Sequence, residues 1–186
     1  MWQIGLKAAG LAGVGLGGAM LAGRGAGLVV ERRVLEGKLP DVFDYISDFS
    51  TTQKWDPGVI SAVHNQRIGV SDDDARLPQV GDTFDLVTTW KGAESAFTYT
   101  ILELERPRRV VLEGHSSLFK ALDTIEFSED SNGGVVIDYR LQLSLRGPLR
   151  PFTFALGLIS KDLQQLGLDS LDGMSRACAE NAATKK

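Results

Sequence analysis

From Val135 to Leu145 the side chains sort into two sets. Val135, Ile137, Tyr139, Leu141, Leu143 and Leu145 alternate with Val136, Asp138, Arg140, Gln142 and Ser144. Successive side chains of a strand point to opposite faces, so this strand has one almost wholly apolar face and one mostly polar face. It belongs in an antiparallel sheet that is wet on one side and covered on the other. The residues before it keep the same habit. Phe84, Leu86, Thr88 and Trp90 share one side of a strand, Lys91-Gly92-Ala93 turns the chain into Phe97, Tyr99 and Ile101, and Val110-Val111-Leu112 and Ala121 to Phe127 continue a meander. Ser131-Asn132-Gly133-Gly134 carries the Asn-Gly signal of a tight hairpin.

Something must cover the apolar face, and the end of the chain supplies it. Gly147-Pro148 stops the last strand, and from about Pro151 the period changes: Phe152, Leu156, Ile159, Leu163, Leu166 and Met174 recur at helical spacing. This predicts one amphipathic helix of about 28 residues laid over the sheet. Gly157, Gly167 and Gly173 interrupt it and predict a bend or a mobile first turn.

Residues 31–58 fill the start of the sheet. A strand leads to a helix beginning near Leu39-Pro40, with proline tolerated in its first turn and Val42, Phe43 and Ile46 on one apolar face. Trp55 caps that face, and Asp56-Pro57-Gly58 reverses the chain. The run Asp48-Phe49-Ser50-Thr51-Thr52-Gln53-Lys54-Trp55-Asp56-Pro57 resembles the START-like, or SRPBCC, superfamily, in particular its polyketide cyclase/dehydrase-like branch. The resemblance spans roughly residues 28 to 180 and concerns the fold; it fixes no reaction. It implies an α+β helix-grip fold, in which a curved antiparallel sheet of about six to seven strands wraps a long C-terminal helix, with two short helices after strand 1. It also implies an internal cavity for a hydrophobic small molecule or lipid.

Composition narrows the function classes. A chain of 186 residues reads as one domain able to bury about 70% of the surface its unfolded form exposes. A net charge of −4 and a pI near 5.2 argue against a nucleic-acid partner, which needs a basic stripe. The cations Arg106, Arg108 and Arg109 around Pro107 read as a solvated hairpin end, and Asp72-Asp73-Asp74 as a solvated turn rather than a calcium loop. One cysteine, Cys178, and two distant histidines, His64 and His115, supply no set of metal ligands. No metal and no cofactor is expected, and no G-x-S-x-G nucleophile motif is present.

The first residues differ in kind. Residues 1–30 hold nine glycines, no serine, and no acidic group, so a boundary falls near Gly27, separating an apolar segment (1–27) from a ligand-binding domain (28–186). Between Lys7 and Arg24 run 16 apolar or small residues. As a helix they span about 24 Å, short of a ~30 Å hydrocarbon core unless the flanking cations snorkel. Three readings stay open: a membrane anchor through residues 4–23, a cleaved signal, or an extension without fixed structure. With Arg24, Arg32 and Arg33 downstream, an anchor would hold the domain on the cytoplasmic side; a cleaved signal would make the protein secreted or periplasmic. Gly13-Val14-Gly15-Leu16-Gly17-Gly18 matches G-x-G-x-x-G formally, but without a flanking strand and amphipathic helix it is no dinucleotide fingerprint.

A sheet wrapped on a helix leaves a concave apolar pocket wherever side chains do not fill the gap. The expected walls are Trp55, Phe84, Trp90, Phe97, Tyr99 and Tyr139, with Phe152 and Leu156 from the helix. Asp123 is the odd residue: if Ala121, Ile125 and Phe127 face inward, period two carries Asp123 in with them, whereas a one-residue bulge would place it in water. A buried carboxylate is costly unless paired or protonated. His115 is the only histidine on the predicted sheet, and imidazole is the side chain best suited to proton transfer at neutral pH. Together His115, Asp123, Tyr99 and Tyr139 are the candidate proton-transfer set, the chemistry that aromatic cyclases of the superfamily perform on enolisable ketides. Three functions therefore compete: binding or transfer of a hydrophobic molecule, a cyclase or dehydrase reaction in the same cavity, and a stress or assembly factor with no ligand. Oligomeric state is not legible.

Overall fold

The computed structural model describes residues 26–67 and 77–184. Residues 4–23 and Asp72-Asp73-Asp74, on which the anchor and acidic-turn expectations fall, lie outside them. No helix among the described residues is long and apolar enough to cross a membrane.

Among the described residues seven strands form one antiparallel sheet: β1 (Ala26–Leu35), β2 (Val59–His64), β3 (Thr83–Trp90), β4 (Ala93–Glu105), β5 (Arg109–His115), β6 (Phe119–Glu129) and β7 (Val135–Leu145). Their order is β1-β7-β6-β5-β4-β3-β2, so β2 to β7 meander and β1 returns to the far edge beside β7. Between β1 and β2 come α1 (Leu39–Ser47) and a 3-10 helix, Phe49–Lys54, the two short helices expected there. The chain closes with α2 (Ser160–Thr184). Register shifts between Val30 and Arg33, Val59 and Ser61, and Ile101 and Glu103 each add a residue to one strand. Such bulges bend a strand and increase its twist, which lets the sheet curl about a helix. This is a helix-grip α+β fold.

The core sits where the sheet, α1 and α2 meet. Val42, Phe43 and Ile46 of α1 are buried, as their spacing requires, against Ile125, Phe127, Ile137, Leu171 and Met174. Phe43 and Phe127 meet edge to face at 5.0 Å. The first helical elements are fixed locally: Asp48 caps the 3-10 helix by accepting from Ser50 N, and Trp55 Nε1 donates to Thr51 Oγ1 at 3.1 Å. From the other side α2 presents small residues, and the Cα of Gly173 lies against the Trp55 carbonyl so closely that a Cβ there would overlap it.

The terminal helix differs from its expected form. Gly147–Ile159 is a 3-10 segment and the α-helix begins only at Ser160. Pro148 and Pro151 lack the N–H that an α-helical ladder needs, and Gly147 enters with φ 56°. The apolar period through Phe152, Leu156 and Ile159 thus runs on across a change of helix type.

The cationic turn is a clasp. Arg106 donates to Asp44 Oδ1 at 2.9 Å and to the Pro78 carbonyl at 2.6 Å, and Arg109 pairs with Glu103 and Glu126. An open groove of about 610 Å³ runs beside it, walled by Leu39, Pro107, Arg109 and Phe127 among others. It lies at the α1 end of the sheet and does not reach Asp123.

Candidate functional site

The inward positions of the sheet pair across strands in rows, and one row reads Ile101, Leu112, Asp123 and Leu141. No register shift interrupts β6 against either neighbour, so period two holds and Asp123 points inward with Ala121, Ile125 and Phe127. It is 1% exposed. One row away on β7, Tyr139 donates its hydroxyl to Asp123 Oδ1 at 2.5 Å.

Tyr99 reaches the same carboxyl from two strands away. Its ring lies over Gly114 of β5, where a Cβ would come within 2.5 Å of Tyr99 Cζ. A glycine inside a strand often marks such a close approach. With no side chain in the way, the Tyr99 hydroxyl sits deep in the protein and interacts with Asp123. Asp123 Oδ2 nevertheless has no hydrogen-bond partner of good geometry. A buried acceptor left so is costly, and such an atom marks either a strained point or a place kept for another molecule.

Burial sets the electrostatics. Loss of water pushes the Asp123 carboxyl up to about 7; hydrogen bonds from Tyr139 and Tyr99 oppose the rise, and the charge of Asp56 adds to it. Burial and the neighbouring acid also hold both tyrosines well above the usual phenol range, so they remain donors. Asp56, in the turn after Trp55, accepts from Gly58 N at 2.7 Å, and its own pKa is raised by burial despite the opposing bonds from Gly58 and Ser170. Near neutrality the cluster is poised between acid and carboxylate. As the acid it offers a proton donor to a ligand oxygen; as the carboxylate it accepts a proton.

The other expected residues separate into groups. Trp55 and Phe84 are core, 2% and 0% exposed, packed with Phe49. Trp90, Phe97 and Tyr99 are half-buried on the inner face, and Leu156 is buried against it. Phe152, expected as a wall, points away and is 54% exposed, because the 3-10 segment carries it to the outside. His115 does not join Asp123. Gly114 is the inward residue on β5, so His115 falls on the outer face, where its Nε2 lies 2.7 Å from Glu113 Oε1. His64 is the buried histidine: it meets Asp82 Oδ2 at 3.2 Å and the edge of Phe84, on the inner side of β2. Gly114, Asp56 and Ser170 complete the cluster and are not among the expected site residues.

Burial also changes along each strand. On β7, Val135 and Ile137 are fully buried and Tyr139 nearly so, whereas Leu141, Leu143 and Leu145 are half-buried. On β3, Phe84 and Leu86 are buried while Thr88 and Trp90 are half-buried. On β7 the inner face is filled as far as Tyr139 and half-covered from Leu141 to Leu145, while on β6 and β3 burial continues through Ala121, Phe84 and Leu86. Asp123 lies at the transition. No cluster of three or more metal-ligating side chains occurs among the described residues.

This is the architecture of a helix-grip α+β protein. Residues 28–173 match the profile of the polyketide cyclase / dehydrase and lipid transport family, and the chain belongs to that family. No curated protein matches it in sequence. Among solved structures it is similar to TTHA0849 from Thermus thermophilus (TM-score 0.65, 14% identity, covering 84% of this chain and 99% of that one). It is also similar to a START superfamily protein from Mycobacterium smegmatis (TM-score 0.57, 11% identity, 86% and 99%). A third is the di-domain ARO/CYC protein StfQ from the steffimycin biosynthetic pathway (TM-score 0.61, 15% identity); this chain is covered over 86% of its length and spans 52% of StfQ. At these identities the likeness is one of fold.

Proposed function

We propose that the protein binds a largely apolar small molecule or lipid in a cleft between the Leu141–Leu145 half of β7 and the start of α2. A carbonyl or hydroxyl of that molecule would meet Asp123. The carrying observation is the buried carboxyl whose Oδ2 lacks a partner, set where the apolar inner face stops being filled. A protonated Asp123 and the Tyr99 hydroxyl would orient the polar end, and Trp90, Phe97, Leu141 and Leu143 would hold the remainder by burial. Family membership supports this class, since its description covers lipid transport as well as cyclase and dehydrase activity.

A second reading is a cyclase or dehydrase, favoured by a carboxyl near neutral pKa beside two tyrosines. It would have to run on Asp123, Tyr99 and Tyr139 without His115. Native mass spectrometry of protein extracted gently from its own cells tests both: a co-purifying apolar molecule is expected. If none is found and an apolar fluorescent probe also fails to bind, the binding reading is lost. Asp123→Asn then separates the two, because a binder keeps its affinity within a few-fold whereas an enzyme loses turnover by about 10²-fold or more.

A further inference from the structure

The 3-10 segment Gly147–Ile159 exposes what a soluble surface rarely exposes together. Phe154 and Leu158 are 77% and 89% accessible, and Leu149 and Phe152 are about half so. Leu118, from the β5–β6 turn, extends the patch, since its carbonyl accepts from Arg146 N at 2.8 Å. A contiguous apolar surface of this kind marks a contact site.

Charge says what kind of contact. Residues 146–161 contain Arg146, Arg150 and Lys161 and no carboxylate, in a chain whose net charge is −4. The next residue, Asp162, is joined to Lys91. Phenylalanine and leucine flanked only by cations is the pattern that lies in the headgroup boundary of an anionic bilayer. The chain path agrees. β1 starts at Ala26, paired with Leu143 near the end of β7 that leads into this segment, and the 25 residues preceding it contain Lys7 and Arg24, no acid, and a long apolar run.

We infer that the Gly147–Ile159 face is a membrane-surface contact, seating the open end of the sheet on anionic lipid. This does not depend on what the cleft holds. The test uses the full chain carrying Leu158→Cys labelled with an environment-sensitive fluorophore; Cys178, 3% exposed, does not compete for the label. A control label at Ser131→Cys sits in the hairpin at the opposite end of β7. Vesicles of phosphatidylcholine with phosphatidylglycerol should shift the Leu158→Cys emission to the blue and shield it from aqueous iodide, leave the Ser131→Cys label unchanged, and lose most of the effect in high salt. Vesicle-bound protein whose Leu158→Cys label stays in water overturns the inference. So does a label already shielded before vesicles are added, which would mean that protein, the chain's own first residues or a second copy, covers the face.

Discussion

Tyr99 lies across Gly114, and that single contact lets a β4 hydroxyl approach a β6 carboxyl over the intervening strand. Gly114→Ala places a methyl group 2.5 Å from the ring and must push it away. The expected cost is about 1–3 kcal/mol of stability, typical of an overpacked interior. Urea denaturation should show it as a lower midpoint with unchanged slope, together with weakened binding of the apolar probe.

Asp123 should make the protein less stable as pH rises. Its carboxyl titrates near 7 in the folded state against 3.8 as the reference for the unfolded chain, so between those values the unfolded chain has lost a proton that the folded one retains. Folding then takes up a proton, and stability falls with pH across that window and is flat above it. The full difference is on the order of 4 kcal/mol. Chemical denaturation at a series of pH values should show the slope in the native protein, and Asp123→Asn should remove most of it, leaving the smaller part due to Asp56, and be the more stable form at pH 8.

Gly173→Ala should be worse than an ordinary helix substitution. Alanine favours helices, yet here its methyl would overlap the Trp55 carbonyl, which is backbone and cannot swing aside. A loss of about 3 kcal/mol or more is expected, at the severe end for overpacking. A thermal melt at or above that of the native protein would contradict the packing described.

Lys91 ties the β3–β4 hairpin to the first turn of α2 through Asp162 at 2.5 Å, and both side chains are largely exposed. Exposed pairs contribute little, so Lys91→Ala should change stability by less than about 1 kcal/mol. Its effect should appear in kinetics instead. If the hairpin and helix frame the cleft entrance, release of the bound apolar probe in a stopped-flow experiment should be faster in the variant, with equilibrium unfolding nearly unchanged.

The sheet was legible because period two needs no tertiary knowledge: the alternation of Val135 to Leu145 marks the inner face directly, and the same count carries Asp123 inward. His115 was harder to place. Val110, Val111 and Leu112 are all apolar, so the start of β5 does not declare its face, and only pairing with β4 shows that Gly114 is the inward position. The Tyr99 approach depends on register across three strands, which one sequence does not reveal, although a glycine amid strand residues was an available sign. Pro148 and Pro151 were likewise present to signal the 3-10 turns, but the apolar spacing at three and four fits either helix type. Asp56 looked like a turn residue, and it is one; its electrostatic link to Asp123 comes from how α2 packs over it.

The switch of helical type at Ser160 has an evolutionary corollary. The thirteen residues ahead of it contribute one buried side chain, Leu156, while those after it supply Leu171, Met174, Ala177 and Cys178 to the interior. Substitutions in the earlier stretch can therefore accumulate with little penalty to folding, which leaves this surface free to vary while the scaffold stays intact.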